Sequence, residues 1–147
     1  MFKHILVPVD GSATSLIAID KAAGLAKAFG SAITAIYVID PYPFTGVGAD
    51  FAYGQDQYLN AARAEASTAI DAVTKRFRDA GVEADTHVVD AHSVWRGILE
   101  AAESIGVDLI VIGSHGRRGL EKLVLGSVTQ SVLSHTKITT LVVRAGD

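Results

Sequence analysis

Short β-branched apolar runs alternate along the chain with longer stretches of helical period. The first run, Ile5-Leu6-Val7-Pro8-Val9, is closed by Asp10-Gly11-Ser12. Leu16, Ile19, Ala23, Ala26 and Phe29 then recur every three or four residues, which predicts an amphipathic helix stopped by Gly30. Ala32 to Val38 predicts a second strand, buried on both faces because little polarity interrupts it. Residues 39–56 hold two of the three prolines, several glycines and four aromatics without a clean period. They predict a long loop, mobile and able to order over a ligand.

The cleanest helical stripe is Leu59, Ala62, Ala66, Ala69, Val73 and Phe77, with Lys75, Arg76 and Arg78 complementing the dipole of its last turns and Gly81 as its stop. Val82 to Val89 is a weaker, alternating strand. Val94, Ile98, Ala101 and Ile105 mark a third helix ending at Gly106, and Val107 to Ile112 is a strong strand signal. A loop, a helix from about Gly126 to His135 and a last strand, Thr139 to Val143, complete the pattern. Regular strand–helix alternation predicts an α/β fold with a largely parallel sheet and helices on both faces. No repeat or linker divides the chain, so residues 1–147 are expected to form one domain.

Composition removes several function classes. A length of 147 residues supports one real core, and 49% hydrophobic with 20% charged residues excludes global disorder. A net charge of −3 supplies no basic field for nucleic acid. With no cysteine there is no disulfide framework, thiol nucleophile or thiolate zinc site. No apolar run approaches the roughly 20 residues that span a bilayer, and Met1-Phe2-Lys3-His4 leads directly into a strand without a signal-peptide layout. The expectation is a cytoplasmic protein with no membrane insertion.

Candidate chemistry concentrates in Gly113-Ser114-His115-Gly116-Arg117-Arg118-Gly119 and, further on, Gly126-Ser127. The first segment follows a buried strand and the second opens a helix. Glycines let backbone amides approach a phosphate, and a helix N-terminus adds unpaired N–H groups and a favourable dipole. Ser127 could donate to a phosphate oxygen or cap its own helix. Equally, Gly113 and Gly116 could simply end a strand. Arg117, Arg118 and Lys122 add local positive charge, and His115 lies inside the loop. The five histidines show no metal-pair spacing, no P-loop lysine motif occurs, and no Gly-x-Ser-x-Gly elbow is present. No catalytic residue and no metal ligand is assigned, and a sensor is favoured over an enzyme.

Gly113, Gly116, Gly126 and Ser127 fit the Gly-x2-Gly-x9-Gly-(Ser/Thr) pattern of nucleotide-binding universal stress proteins without a gap. The opening Ile5-Leu6-Val7-Pro8-Val9-Asp10-Gly11-Ser12 resembles that family's first strand and turn, and Leu141-Val142-Val143-Arg144 its last strand. The resemblance covers nearly the whole chain and is weakest over residues 41–60. It implies an adenine-nucleotide alpha-hydrolase-like fold, a five-stranded parallel sheet of order 3-2-1-4-5. The strand carrying Asp10 and the strand ending at Gly113 would then flank one switch-point crevice, where open α/β sheets bind ligands.

By the same resemblance, Asp10 and the backbone of Val38 would hold adenine, and Pro8, Val9 and Gly113 would line the adenosine. Gly116, Gly126, Ser127 and Val128 would cradle phosphates, with Ile112 beside them. Asp10 could instead be a turn residue, as a carboxylate before Gly-Ser commonly is. The implied ligand is ATP or AMP, with Mg2+ free to arrive on the nucleotide. The implied partners are a second copy pairing through the last strand, a higher oligomer, and a regulated protein such as a membrane transporter. A weak ATP hydrolase or phosphoryl-transfer enzyme and a ligand-independent dimeric scaffold are the alternatives. Two features depart from the family pattern. Ile138-Thr139-Thr140 stands where proline commonly enters the last strand, and Asp90-Ala91-His92-Ser93 lacks the usual glycine.

Overall fold

In the computed structural model, which describes residues 1–41, 49–115 and 125–144, five parallel strands form one sheet. The elements in chain order are β1 (His4–Val9), α1 (Ala13–Phe29), β2 (Ala32–Ile39), α2 (Ala49–Asp79), β3 (Asp85–Asp90), α3 (Val94–Ile105), β4 (Leu109–Gly113), α4 (Ser127–His135) and β5 (Thr139–Val143). The strand order is β3-β2-β1-β4-β5, the order that the resemblance implied.

Alternation along each strand builds two cores. Ile5, Val7 and Val9 of β1, with Ile33, Ala35 and Tyr37 of β2, pack beneath α1 and α2 together with Ile19, Val73 and Phe77. Leu6, Ile36, Ile110 and Ile112 point the other way, onto Ile98 and Ala102 of α3 and Val132 of α4. Side chains on a strand change face at every residue, so the continuous apolar runs of β1 and β4 are the expected signature of burial on both faces. The edge strands β3 and β5 are only partly covered.

Three expectations are corrected. The long loop gives way to helix at Ala49. Adding turns to an existing helix needs no new nucleus, so poor helix formers such as Gly54 are carried along. Tyr58 Oη and Gln55 Nε2 then donate to the carbonyls of Asp40 and Pro41 at 3.0 and 3.1 Å, tying this part of α2 to the end of β2. Residues 42–48, the rest of that expected loop, lie outside the described residues. The third strand starts at Asp85 rather than Val82, because Val82 closes α2. Its amide donates to Phe77 O at 2.9 Å and that of Gly81, at φ 76°, to Arg78 O at 3.0 Å, the Schellman pattern. In α1 the buried stripe runs through Ala18, Ile19, Ala22, Ala23 and Ala26, whereas Phe29 is 40% exposed and packs edge-on against Phe2.

Candidate functional site

The site begins where β1 and β4 part. They pair only at Ile5↔Leu109 and Leu6↔Ile110. Beyond that point Pro8 has no N–H to offer a neighbour, and the C-terminal ends of the two strands bound a crevice of about 420 Å³. From β1 the chain crosses to β2 on one side, and from β4 to β5 on the other. The crevice therefore stands at the topological switch point.

Its walls divide by chemistry. Pro8, Val9, Ile112, Val94, Ile98 and Val128 supply apolar surface suited to a flat, uncharged group. Asp10, Ser12, Ser15, His115, Ser127 and Thr129 supply the polar groups. Among the described residues Asp10 is the only carboxylate of the lining, and no Lys or Arg lines it. The Asp10 carboxylate accepts the Ser12 amide at 2.9 Å, so Asp10 does serve the turn as well as facing the crevice. A second cavity, about 410 Å³, lies between α1 and α2 and shares Asp10 and Ser15 with the first.

The N-termini of two helices reach the crevice, and they differ. In α1 the Ser12 hydroxyl accepts the Ser15 amide at 3.2 Å, so that helix caps itself. In α4 the N-cap is Gly126, which has no side chain to accept from the first turn. Helix geometry leaves the amides of Ser127, Val128 and Thr129 without intrahelical acceptors, next to the positive end of the dipole. Ser127 is therefore the first helical residue and not the cap. Thr129 Oγ1 donates to Gly113 O at 2.7 Å and the Gly126 amide to Ser114 O at 2.8 Å, which fastens the start of α4 to the end of β4.

The two described motif glycines act differently. A Cβ on Gly113 would stand 2.8 Å from Thr14 Cγ2, so Gly113 lets α1 approach β4. A Cβ on Gly126 would stand 3.1 Å from His115 Cα, so Gly126 lets the chain close on itself around the crevice.

Of the residues expected from the sequence, Pro8, Val9, Asp10, Ile112, Gly113, Gly126, Ser127 and Val128 are brought together in this one lining. Gly116, with Arg117, Arg118 and Lys122, lies outside the described residues. Val38 is not part of the lining, and its side chain packs toward α3, where Gly97 leaves room for it. Neither His92 nor Trp95 lines the crevice. His92 is exposed near Asp40, and Trp95 is half-buried and stacked on His135 with centroids 4.2 Å apart. Sequence reasoning did not select Ser15, Thr129, Val94 and Ile98. The signal for Val94 and Ile98 was their place on the apolar stripe of α3, and the hydroxyls carried none. No group of three or more metal-ligating side chains occurs among the described residues.

Comparison with known proteins decides the family. The sequence model of the Universal stress protein family matches residues 1–144. The chain belongs to that family. Universal stress protein MJ0531 of Methanocaldococcus jannaschii is 35% identical over 144 residues, spanning 98% of this chain and 83% of its own. The solved universal stress protein UspA from Lactobacillus plantarum superposes with a TM-score of 0.85 at 25% identity over 97% of each chain. A universal stress protein from Archaeoglobus fulgidus, solved in complex with dAMP, superposes at a TM-score of 0.72 over 97% of this chain and 98% of its own. At 20% identity that last likeness is one of fold. The family assignment fits the nucleotide-hydrolase-like sheet and a stress-related role.

Proposed function

We propose that this universal stress protein binds an adenine nucleotide, ATP or AMP, in the β1–β4 crevice and acts as a regulatory module that responds to stress or energy state. The observation that carries this reading is the uncapped start of α4 facing a cleft that also has an apolar wall of Pro8, Val9, Val94, Ile98 and Ile112. Free amides at a positive helix end suit phosphates, and the apolar walls suit a base and sugar. The dAMP complex of the Archaeoglobus fulgidus fold relative supports the ligand class. Asp10, with Pro8, Val9 and the backbone of Val38, would take the nucleoside. Gly113 would line the adenosine with them, and Gly116, Gly126, Ser127 and Val128 would take the phosphates, beside Ile112. Mg2+ would come on the nucleotide and need few protein ligands.

The same reading carries a homodimer through β5, an edge strand on which Leu141 is 41% exposed and whose backbone can pair with a second copy. It also carries a cytoplasmic location and a protein partner, such as a transporter, that reads the nucleotide state. Binding is preferred to turnover because Asp10, the one carboxylate lining the crevice among the described residues, is engaged by the Ser12 amide.

The test is to purify the protein without added nucleotide, denature it and analyse the released small molecules by mass spectrometry. A calorimetric titration of emptied protein with ATP and AMP follows. Adenine nucleotide near one per chain, or saturable binding of either, supports the reading. Protein that is empty and binds neither refutes it and favours the scaffold alternative.

A further inference from the structure

Gly97 is buried in the first half of α3, and neither conformation nor helix propensity accounts for it. Its φ is not positive, and a glycine inside a helix costs about 1 kcal/mol relative to alanine. Close contact accounts for it. A Cβ there would stand 2.7 Å from Ala91 Cβ and 2.9 Å from Val38 Cγ1, well inside the carbon–carbon optimum of about 3.5–4.0 Å. Lacking a side chain, Gly97 lets α3 lie directly on the end of β2 and on the first residue after β3. Val38 packs into the room so left, against the core that holds Ile98 and Ala102 of the same helix.

Val94 and Ile98 stand on either side of Gly97 in the same helix, and both line the crevice with Pro8, Val9 and Ile112 of the strand ends. Where Gly97 seats the helix therefore decides how far this apolar wall stands from β1 and β4. The amides of α4 suit the phosphates, which leaves the apolar wall of α3 to the base. A wall set back by about 0.5–1 Å forfeits roughly a quarter to a half of its dispersion attraction. We propose that Gly97 is a positioning residue for nucleobase recognition, holding Val94 and Ile98 at the distance at which they pack on the base of the bound nucleotide. This rests on the nucleotide reading of the crevice. It adds to that reading the base contacts on α3 and the residue that places them.

The experiment is calorimetric titration of the full chain with AMP and ATP, in the parent protein and in four variants. In Gly97→Ala the helix must stand off by roughly half an ångström or more. AMP and ATP share the base and differ only in phosphates, so both should weaken by the same factor, about tenfold. Adding Val38→Ala and Ala91→Gly to Gly97→Ala clears both contacts and should recover part of the loss. Val94→Ala trims the wall without moving the helix and should weaken both nucleotides alike, about fivefold. Val73→Ala is a stability control in the other core, where Val73 is buried, and should keep both affinities within about twofold. If Gly97→Ala does not fold, Val94→Ala decides. Undiminished affinity in Gly97→Ala or Val94→Ala, a larger loss for ATP than for AMP, no recovery in the triple variant, or an equal loss in Val73→Ala overturns this inference alone. A parent protein that binds neither nucleotide overturns the nucleotide reading and this inference with it.

Discussion

Gly126 gives the sharpest perturbation of the crevice. Its φ of −65° and ψ of 160° are open to any residue, so a side chain there brings no backbone strain. The cost is contact. The new Cβ would lie 3.1 Å from His115 Cα and 3.3 Å from His115 Cβ, against a carbon–carbon optimum near 3.5–4.0 Å. The two segments must part by roughly half an ångström. The Gly126–Ser114 bond, 2.8 Å long, spans the same contact and is stretched with it. Overpacking costs about 1–3 kcal/mol, and a half-exposed site belongs at the low end. Gly126→Ala should therefore lower stability by about 1 kcal/mol, a fall in Tm of roughly 3 °C. Parting also swings the first amides of α4 away from a phosphate. Losing one charge-assisted bond, about 1.5–3 kcal/mol, weakens ATP by roughly ten- to a hundredfold. Gly126→Val should lose more of both. The obstruction begins at the backbone of His115, before any phosphate volume is reached. Scanning calorimetry and ATP titration read the two effects side by side. If Gly126→Val melts with the parent and binds ATP with the parent's affinity, the closure of His115 on Gly126 does not shape the site.

Three further outcomes follow from the packing and the charges. In Gly97→Ala the new methyl would lie 2.7 Å from Ala91 Cβ and 2.9 Å from Val38 Cγ1, so α3 must shift and stability should fall by about 2 kcal/mol in denaturant titrations. Phe77→Ala removes a ring that is 1% exposed under α2 and should cost about 3–5 kcal/mol, read as a lower denaturant midpoint at unchanged m-value. The backbone amides of His4 and Lys3 hold the Asp108 carboxyl below the usual 3.8. A depressed folded value means that its stabilisation is complete above 3.8 and is lost as pH falls through the lower folded value. Asp108→Asn should thus be less stable than the parent at neutral pH, with the gap closing in strong acid. A gap constant across the acid range would remove Asp108 from the account.

Much of the fold was legible because its burial is periodic. β1 from Ile5 to Val9 and β4 are unbroken by a polar side chain since both faces are covered, and the stripe from Ala66 to Phe77 marks the face of α2 that packs on the sheet. What escaped had non-local causes. Residues 49–56 read as a loop because Gly54 and the aromatics are weak helix formers, but an adjoining long helix extends through them. Val82 reads as strand because it is β-branched, yet its amide is spent on the C-terminus of α2. At the site, Pro8, Asp10, Gly113, Gly126 and Ser127 were recoverable from one linear motif and one strand end, since each acts through backbone shape or helix position. Thr129 and Ser15 were not, because a hydroxyl on a helix has no pattern until the facing carbonyl is known. Ser127 as a cap was half right. It opens the helix, but the cap is Gly126, and that difference leaves the first turn of α4 open to a ligand.

The central claim is that an adenine nucleotide occupies the β1–β4 crevice with its phosphates on α4. The most direct measurement is an amide-resolved NMR titration of the isotope-labelled protein with ATP. The account predicts saturable shifts largest at Ser114, His115 and Gly126 to Thr129, with a second group at Val9, Asp10 and the turn to Ser12. Shifts confined to the groove between α1 and α2, around Ala64 to Val73, or no saturable shifts at all, would contradict it.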